Sequence, residues 1–454
     1  MGIVGNLLLW FKDYLSNRQQ RVVINSKEST WSNINAGVPQ GSILGPLVFL
    51  IFINDIVNEV NCPIKLFADD TSIYAIVENP LVASIQLNLN LQKIYAWSNK
   101  WLVNFNPQKT ETMTISRKSE TLHHPPLKMN NVQIKNVFSH NHLGLTFSSD
   151  GSWNSHIEEV VSKANSRLNI IRKLKFKVDR RSLEQMYFSY VRPILEYADV
   201  IWDNCPDYMK DKLEQINCEA ARIVTGATKL TSIKLLFREC GWETLETRRK
   251  NHKLLLFHKM VHQDTPAYLS NLIPDRFQDV HQYQTRNSNH IVPHPARTSF
   301  YSNSFLPSSI KLWNELPANI KNNSSVNCLK TFLKPKRAIP SYFYIGSRIG
   351  QILHARIRTE SSSLKEHLFK KNLELDPFCK CKQIESSEHF LLICPLYRRL
   401  RNTLFSTISG TINTNNLLHG NPDLTDVDNG RNFLTVQKFI IKTKRFVYYN
   451  VARG

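Results

Sequence analysis

From Leu47 to Ile53 the chain has no polar residue, and the apolar character reaches back to Ile43 with little interruption. A segment apolar on every side predicts a buried helix. It follows GVPQGS, where Gly37, Pro39 and Gly41 break regular structure and form a loop; Ser42 is placed to cap the helix and Pro46 fits its first turn. Upstream, RQQRVVIN and the stretch to Trp31 predict two short strands. After the break at Pro63 the pattern alternates. Ile64, Leu66 and Ala68 share one face and Lys65 and Phe67 the other, then Asp69 and Asp70, then TSIYAIV: strand, tight turn, strand. Over 81–101 the apolar positions Leu87, Leu91, Ile94, Trp97 and Trp101 recur at threes and fours, predicting a helix. KWLVNFNPQKTETMTIS predicts a turn and then a strand around Lys109, and HLGLTFSSDGSWNSHI a hairpin around Ser149-Asp150-Gly151.

Beyond residue 150 the period becomes helical. Ser155 and Glu158 form a capping-box pattern ahead of Ile157, Val160, Val161, Ala164, Leu168 and Ile171. Ser182 and Gln185 repeat it ahead of YFSYVRPILEYADVIW, which Pro193 should kink or end. A further helix runs from about Asp207 to Gly226, where glycine supplies the stop. Residues 275–340 are rich in Asn, Ser and Pro and predict a linker-like stretch holding a small packed unit around Leu312, Trp313 and Leu316. The expected class is α+β, changing near residue 150 from mixed to mostly helical.

Length and charge narrow the classes. A chain of 454 residues is long enough for two or three domains, and 42% hydrophobic content marks a folded protein. The 58 Lys and Arg against 37 Asp and Glu leave a net +21, the balance of a chain with a polyanionic partner, nucleic acid before membrane. No apolar run approaches the roughly 20 residues of a membrane span. Eight cysteines are too sparse for a disulfide scaffold, so a reducing intracellular compartment is expected, and close-set cysteines are candidate metal ligands.

Two groups of residues carry candidate chemistry. Asp69 and Asp70 place two like charges at a turn, which is either an ordinary Asp-Asp turn or a site where a divalent cation relieves the repulsion. In FCKCKQIESSEHFLLICPLY, Cys379, Cys381, His389 and Cys394 form C-x-C-x7-H-x4-C. Three thiolates and an imidazole suit tetrahedral Zn2+; the other reading is packed cysteines beside a surface histidine. The basic run RKLKFKVDRR, residues 172–181, either tracks a phosphate backbone or is a solvated loop.

AGVPQGSILGPLVFLIFINDI followed by LFADD resembles the reverse transcriptases of non-LTR (LINE-type) retrotransposons, nearest the jockey-like group. The resemblance continues through KWLVNFNPQKTETM, HLGLTFSSDGSWNSHI, YVRPILEYADVIW, RTSFYSNSFLPSSIKLWNELP and the cysteine segment. It implies a partial right-hand polymerase palm of antiparallel hairpins and a buried helix over 1–150, and a helical thumb-like region over 151–270. A linker-like 271–345 and a C-terminal unit with the Cys/His segment over 346–454 complete it. It also implies that Gln40 and Gly41 contact template and incoming nucleotide, and that Asp69 with Asp70 binds Mg2+ as the catalytic pair. Phe67 and Ala68 would position the turn, Lys109 would protonate the leaving pyrophosphate, and 142–147 would form the primer grip. The implied partners are an RNA template and a DNA primer or target, with no membrane.

The resembled enzymes carry a further essential Asp on an earlier strand, in a motif like FDxVxH. That motif is not present here, and neither Asp13 nor Asp55 replaces it. The expectation is therefore a fragment of an RNA-directed DNA polymerase, inactive as an isolated chain. The alternatives are a non-catalytic nucleic-acid binder derived from a retroelement, or an interaction module without a nucleic-acid role.

Overall fold

The computed structural model describes residues 3–118, 124–280, 288–334 and 339–446. The chain forms two compact units: Met1–His142 with Ser148–Gly151, and Leu143–Phe147 with Ser152–Gly454. The class is α+β: every described strand ends by Ser148, and helices dominate beyond it.

In the first unit, Arg18–Gln20 pairs antiparallel with Ser32–Ile34, and Val23–Ile24 with Lys27–Glu28. The helix predicted over 81–101 spans Pro80–Trp101. The Asn79 side chain accepts from the N–H groups of Leu81 and Val82, and Pro80 stands at the first helical position, where its missing N–H costs nothing. Leu91, Ile94 and Trp97 from this helix meet Ile53, Ile56, Met129 and Ile134 in one core. The helix Leu44–Ile53 contributes less than its apolarity predicts. Only Gly45 and Ile53 are buried, and Leu47 and Leu50 remain 49% and 47% exposed. A helix apolar on all sides needs neighbours on all sides; this one is covered on one, where Phe49 joins the core and Phe52 packs edge-on against Trp101 with ring centroids 5.8 Å apart.

Turn chemistry moved the second predicted hairpin. The strands Ser139–His142 and Leu145–Ser148 are joined by Leu143 and Gly144 at φ 49° and 77°, the two left-handed residues of a type I′ turn. A Cβ on Gly144 would lie 3.2 Å from the Tyr197 ring, and the Tyr197 hydroxyl donates to the Leu143 carbonyl at 2.7 Å. Ser149-Asp150-Gly151 belongs instead to a separate turn closed by Gly151 N–H to the Ser148 carbonyl, 2.9 Å.

The second unit is built on three helical stretches. Asn154–Leu174 buries Ile157, Val160, Ala164, Leu168 and Ile171 against Arg180–Glu196 and Asp207–Thr225. Neither predicted capping box forms. The first helix starts two residues early, with Trp153 as its N-cap and no side-chain cap. The second is capped by Asp179, whose carboxylate accepts from the N–H groups of Arg181 and Ser182 at 2.8 and 3.0 Å. Pro193 does not end its helix. The turn before it, Tyr187–Val191, widens to a π-turn, and helix resumes over Arg192–Glu196. That is one way a chain absorbs a missing N–H. Trp313 and Leu316 are buried and Leu312 partly so, but they form no separate island: with Ile310 and Leu329 they close over Leu254 and Phe257 of the helix Leu245–Val261.

The C-terminal stretch is bound to this helical body through arginines. Arg348 donates to the carbonyls of Lys175, Ile223 and Val224 at 2.8, 2.6 and 2.7 Å, and Arg356 to that of Gly226 at 2.8 Å. The carbonyls of Ile223, Val224 and Gly226 stand at the end of Asp207–Thr225 and that of Lys175 at the end of Asn154–Leu174, and cations suit such negative ends. Gly226 is required here: φ is +76°, and a Cβ would meet Ile352 at 2.4 Å. Nearby, Glu239 is sealed between Arg180 (2.8 Å) and Arg358 (2.7 Å). Arg180 belongs to the basic run, yet it is 1% exposed. The exposed cations of that run are Arg172, Lys173, Lys177 and Arg181.

Burial acts to raise Glu239, and the two guanidiniums, Arg358 foremost, more than reverse it, holding it at about 2 against an ordinary 4.5. Because the folded value is the lower one, this stabilisation is complete above the ordinary carboxylate range and is lost as pH falls from about 4.5 toward 2. Glu239→Ala, which strands two buried cations, is expected to cost about 3–5 kcal/mol in urea unfolding at neutral pH, with a much smaller difference from wild type near pH 2. An unchanged midpoint would contradict this placement.

Candidate nucleotidyl-transfer hairpin and metal centre

Ile64–Phe67 pairs antiparallel with Asp70–Ile73, with Phe67 opposite Asp70, so Ala68 and Asp69 alone form the turn. Ala68 has φ 52° and Asp69 is not among the positive-φ residues, the pattern of a type II′ turn. Ala68 therefore does not continue the inward face; that face is Ile64, Leu66 and Ile73, all packed on the core. The ladder thus carries Asp69 at its tip and Asp70 one residue on, both exposed, with exposed Phe67 across from Asp70. Among the described residues no third acidic, histidine or cysteine ligand joins the two carboxylates in a group able to hold a metal. Oxygen ligands of this kind suit a hard cation such as magnesium, and two carboxylates from one turn fall short of a paired-metal set.

Gln40 and Gly41 are exposed at the loop before Leu44–Ile53, with Gly41 at φ +80°. Ser42 holds this loop with its whole hydrogen-bonding capacity. Its hydroxyl donates to the Pro39 carbonyl (2.8 Å) and accepts from Gly45 N–H (2.9 Å) and the Tyr14 hydroxyl (2.7 Å). It thus caps from one residue before the N-cap, Ile43. Tyr14 was invisible to pattern reading, since nothing local links it to a loop 28 residues away. Lys109 lies exposed in a turn closed by its own N–H and that of Thr110 on the Asn106 carbonyl, just before the strand Glu111–Thr112. No hydrogen bond or ion pair among the described residues joins Lys109, the hairpin tip and the Gln40–Gly41 loop.

The four C-terminal ligands do come together. Their donor atoms lie within 4.8 Å of one another. The Cys379 and Cys394 sulfurs are 3.7 Å apart, those of Cys381 and Cys394 4.0 Å, and Cys381 Sγ is 3.2 Å from His389 Nε2. A tetrahedral ion with metal–sulfur bonds of about 2.3 Å sets its sulfurs about 3.8 Å apart, so the cluster has the dimensions of a closed four-ligand centre. Burial pushes the Cys394 thiol up to about 12, with the neighbouring thiol Cys379 adding to it, and burial holds His389 below its ordinary value. A cation beside Cys394 would favour its thiolate, and a neutral imidazole is ready to ligate.

Supports outside the four ligands were not evident in the sequence. Arg401, in a run of exposed arginines, is buried and donates to the carbonyls of Leu391 (2.9 Å) and Cys394 (2.8 Å), fixing the π-turn His389–Ile393 that presents His389. The Cys379–Gln383 turn is closed by Cys379 N–H to the Gln383 carbonyl (2.7 Å) and Lys382 N–H to the Cys379 carbonyl (2.8 Å). No helix of the described residues is long and apolar enough to cross a membrane.

A left-handed alanine is strained where glycine is not. Ala68→Gly is expected to raise the unfolding free energy by about 0.5–1 kcal/mol in denaturant titration, and a loss of stability would contradict the type II′ turn.

Residues 2–147 match the family described as reverse transcriptase (RNA-dependent DNA polymerase). The chain is 24% identical over 256 residues to the probable RNA-directed DNA polymerase from transposon BS of Drosophila melanogaster, covering 53% of this chain and 28% of that protein. It is 25% identical over 232 residues to the RNA-directed DNA polymerase from mobile element jockey of the same fly, covering 49% and 25%. It is 23% identical over 249 residues to the probable RNA-directed DNA polymerase from transposon X-element, covering 53% and 27%. The chain thus spans about a quarter of the length of the curated relatives it matches. The GVPQGS loop and the paired-aspartate hairpin both lie inside the segment, residues 2–147, that matches the reverse transcriptase family.

Proposed function

We propose that this chain serves RNA-templated DNA synthesis as part of a retroelement polymerase, supplying the nucleotide-facing loop, one pair of metal-binding carboxylates and a basic helical body for the product duplex. The observation that carries the reading is the exposed Asp69–Asp70 pair at the end of a two-residue hairpin, within the same matched segment as the Gln40–Gly41 loop. Asp69 and Asp70 are the residues that would hold magnesium, which would supply activation of a primer hydroxyl and offset of charge on the leaving group. Gln40 and Gly41 meet template and incoming nucleotide, where a glycine at positive φ lets backbone approach closely. Lys109 donates its proton to the departing pyrophosphate. Phe67 and Ala68 set the turn.

In the same reading residues 1–150 are palm-like, 151–270 thumb-like, 271–345 a connecting segment and 346–454 the C-terminal domain. The Cys379, Cys381, His389 and Cys394 centre takes zinc in a structural role, since four protein ligands leave no open position.

Two carboxylates from one turn are too few for a two-metal centre, so the chain by itself binds primer–template without extending it. This is measured with a DNA primer on an RNA template, in magnesium and deoxynucleotides. Salt-sensitive binding without extension is expected, in wild type and Asp69→Ala alike. Asp69-dependent extension would overturn the incomplete-site claim, and absence of salt-sensitive binding would overturn the nucleic-acid role.

Purified protein is expected to hold about one zinc ion per chain, with Cys394→Ser losing it together with several degrees of thermal stability. Equal metal content in both would contradict the zinc assignment.

A further inference from the structure

Phe378 and Ile384 lie opposite each other in an antiparallel bridge at the base of the Cys379–Gln383 turn. Directly opposed residues project to the same side, so the two form one apolar pair. Both are open to solvent, 49% and 50% exposed, while the adjacent Cys379 is buried in the ligand cluster. Alternation therefore sends the cysteine to the metal centre and the aromatic ring outward. The turn between them presents Lys380, Lys382 and Gln383, all exposed.

Neither lysine makes an ion pair among the described residues, and two acids flanking the turn, Asp376 and Glu385, are engaged elsewhere. Glu385 is buried and gripped by Arg445 through two contacts of 2.7 Å, and Asp376 accepts from Phe378 N–H (2.9 Å) and Lys365 Nζ (3.2 Å). A solvent-facing ring beside uncompensated cations suits a polyanion that also offers flat apolar faces. Unpaired bases have such faces; bases stacked inside a duplex do not expose them.

We propose that this tip is a stacking platform for single-stranded nucleic acid, with Phe378 against a base, Ile384 supporting the ring, and Lys380 and Lys382 on the flanking phosphates. The proposal rests on the Cys/His centre holding the hairpin, so the test separates the two. The full chain is titrated at fixed salt with a fluorescein-labelled single-stranded RNA of about twelve nucleotides and with a duplex of the same sequence, and metal content is read on the same samples.

Phe378→Ala is expected to weaken single-strand binding about tenfold and duplex binding less than about twofold, and Phe378→Trp to restore it. Phe378→Leu, which keeps apolar bulk without a ring, is expected to lose affinity as alanine does. It also decides the matter should alanine disturb the hairpin. Wild-type single-strand affinity in Phe378→Leu would overturn the proposal, as would equal loss for strand and duplex in a variant with normal metal content. A metal-free wild-type chain whose binding still depends on the ring would support stacking while removing the zinc assignment.

Discussion

The second unit depends on a carboxylate that has given up water entirely. Glu239 is buried between Arg180 and Arg358, brought from 59 and 119 residues away. The isolated charge would be prohibitive in such a place; with two guanidiniums around it the group stays ionised and fixes both partners. Arg358 also lies over the Phe343 ring, its guanidinium carbon 3.8 Å from the centroid. Arg348 and Arg356, on the same helix as Arg358, grip the open carbonyl end of Asp207–Thr225. The C-terminal stretch is thereby built into the helical body. Leu353 and Ile357 of this helix share a core with Phe390 and Leu391, which sit within the π-turn that presents His389.

The first unit follows a different rule. Its strands form short two-stranded ladders. A two-residue turn leaves no freedom over which side chain stands at the tip. The core holds Ile64, Leu66 and Ile73, and the ladder then carries the two aspartates out into solvent, where a cation or a polyanion's metal can reach them.

Much of this was legible in the residue pattern. The period of Leu87, Leu91, Ile94 and Trp97 marked the helix Pro80–Trp101, Gly226 marked a helix end, and β-formers flanking Asp69 and Asp70 marked the hairpin. The grouping of Cys379, Cys381, His389 and Cys394 was legible because residues so close in sequence are readily brought together in the fold. What failed depended on partners distant in sequence or on competing local choices. Ser155 and Ser182 match a cap pattern, but the chain started each helix earlier, and Asp179 offered a stronger acceptor. The hairpin near residue 150 followed Leu143–Gly144 because a glycine there fits against Tyr197. Arg180 read as one more cation of a basic run, since the charge that buries it comes from a distant helix. The helix Leu44–Ile53 read as buried because apolarity reports what a segment tolerates, while burial requires neighbours to cover it.

The central claim is that the Asp69–Asp70 hairpin meets the growing end of a primer. The most direct measurement is photo-crosslinking from a reactive thymidine analogue at the primer 3′ terminus, annealed to an RNA template, followed by peptide mapping. The account predicts adducts in the hairpin peptide 65–75. Adducts confined to the second unit, with none in that peptide, would contradict it.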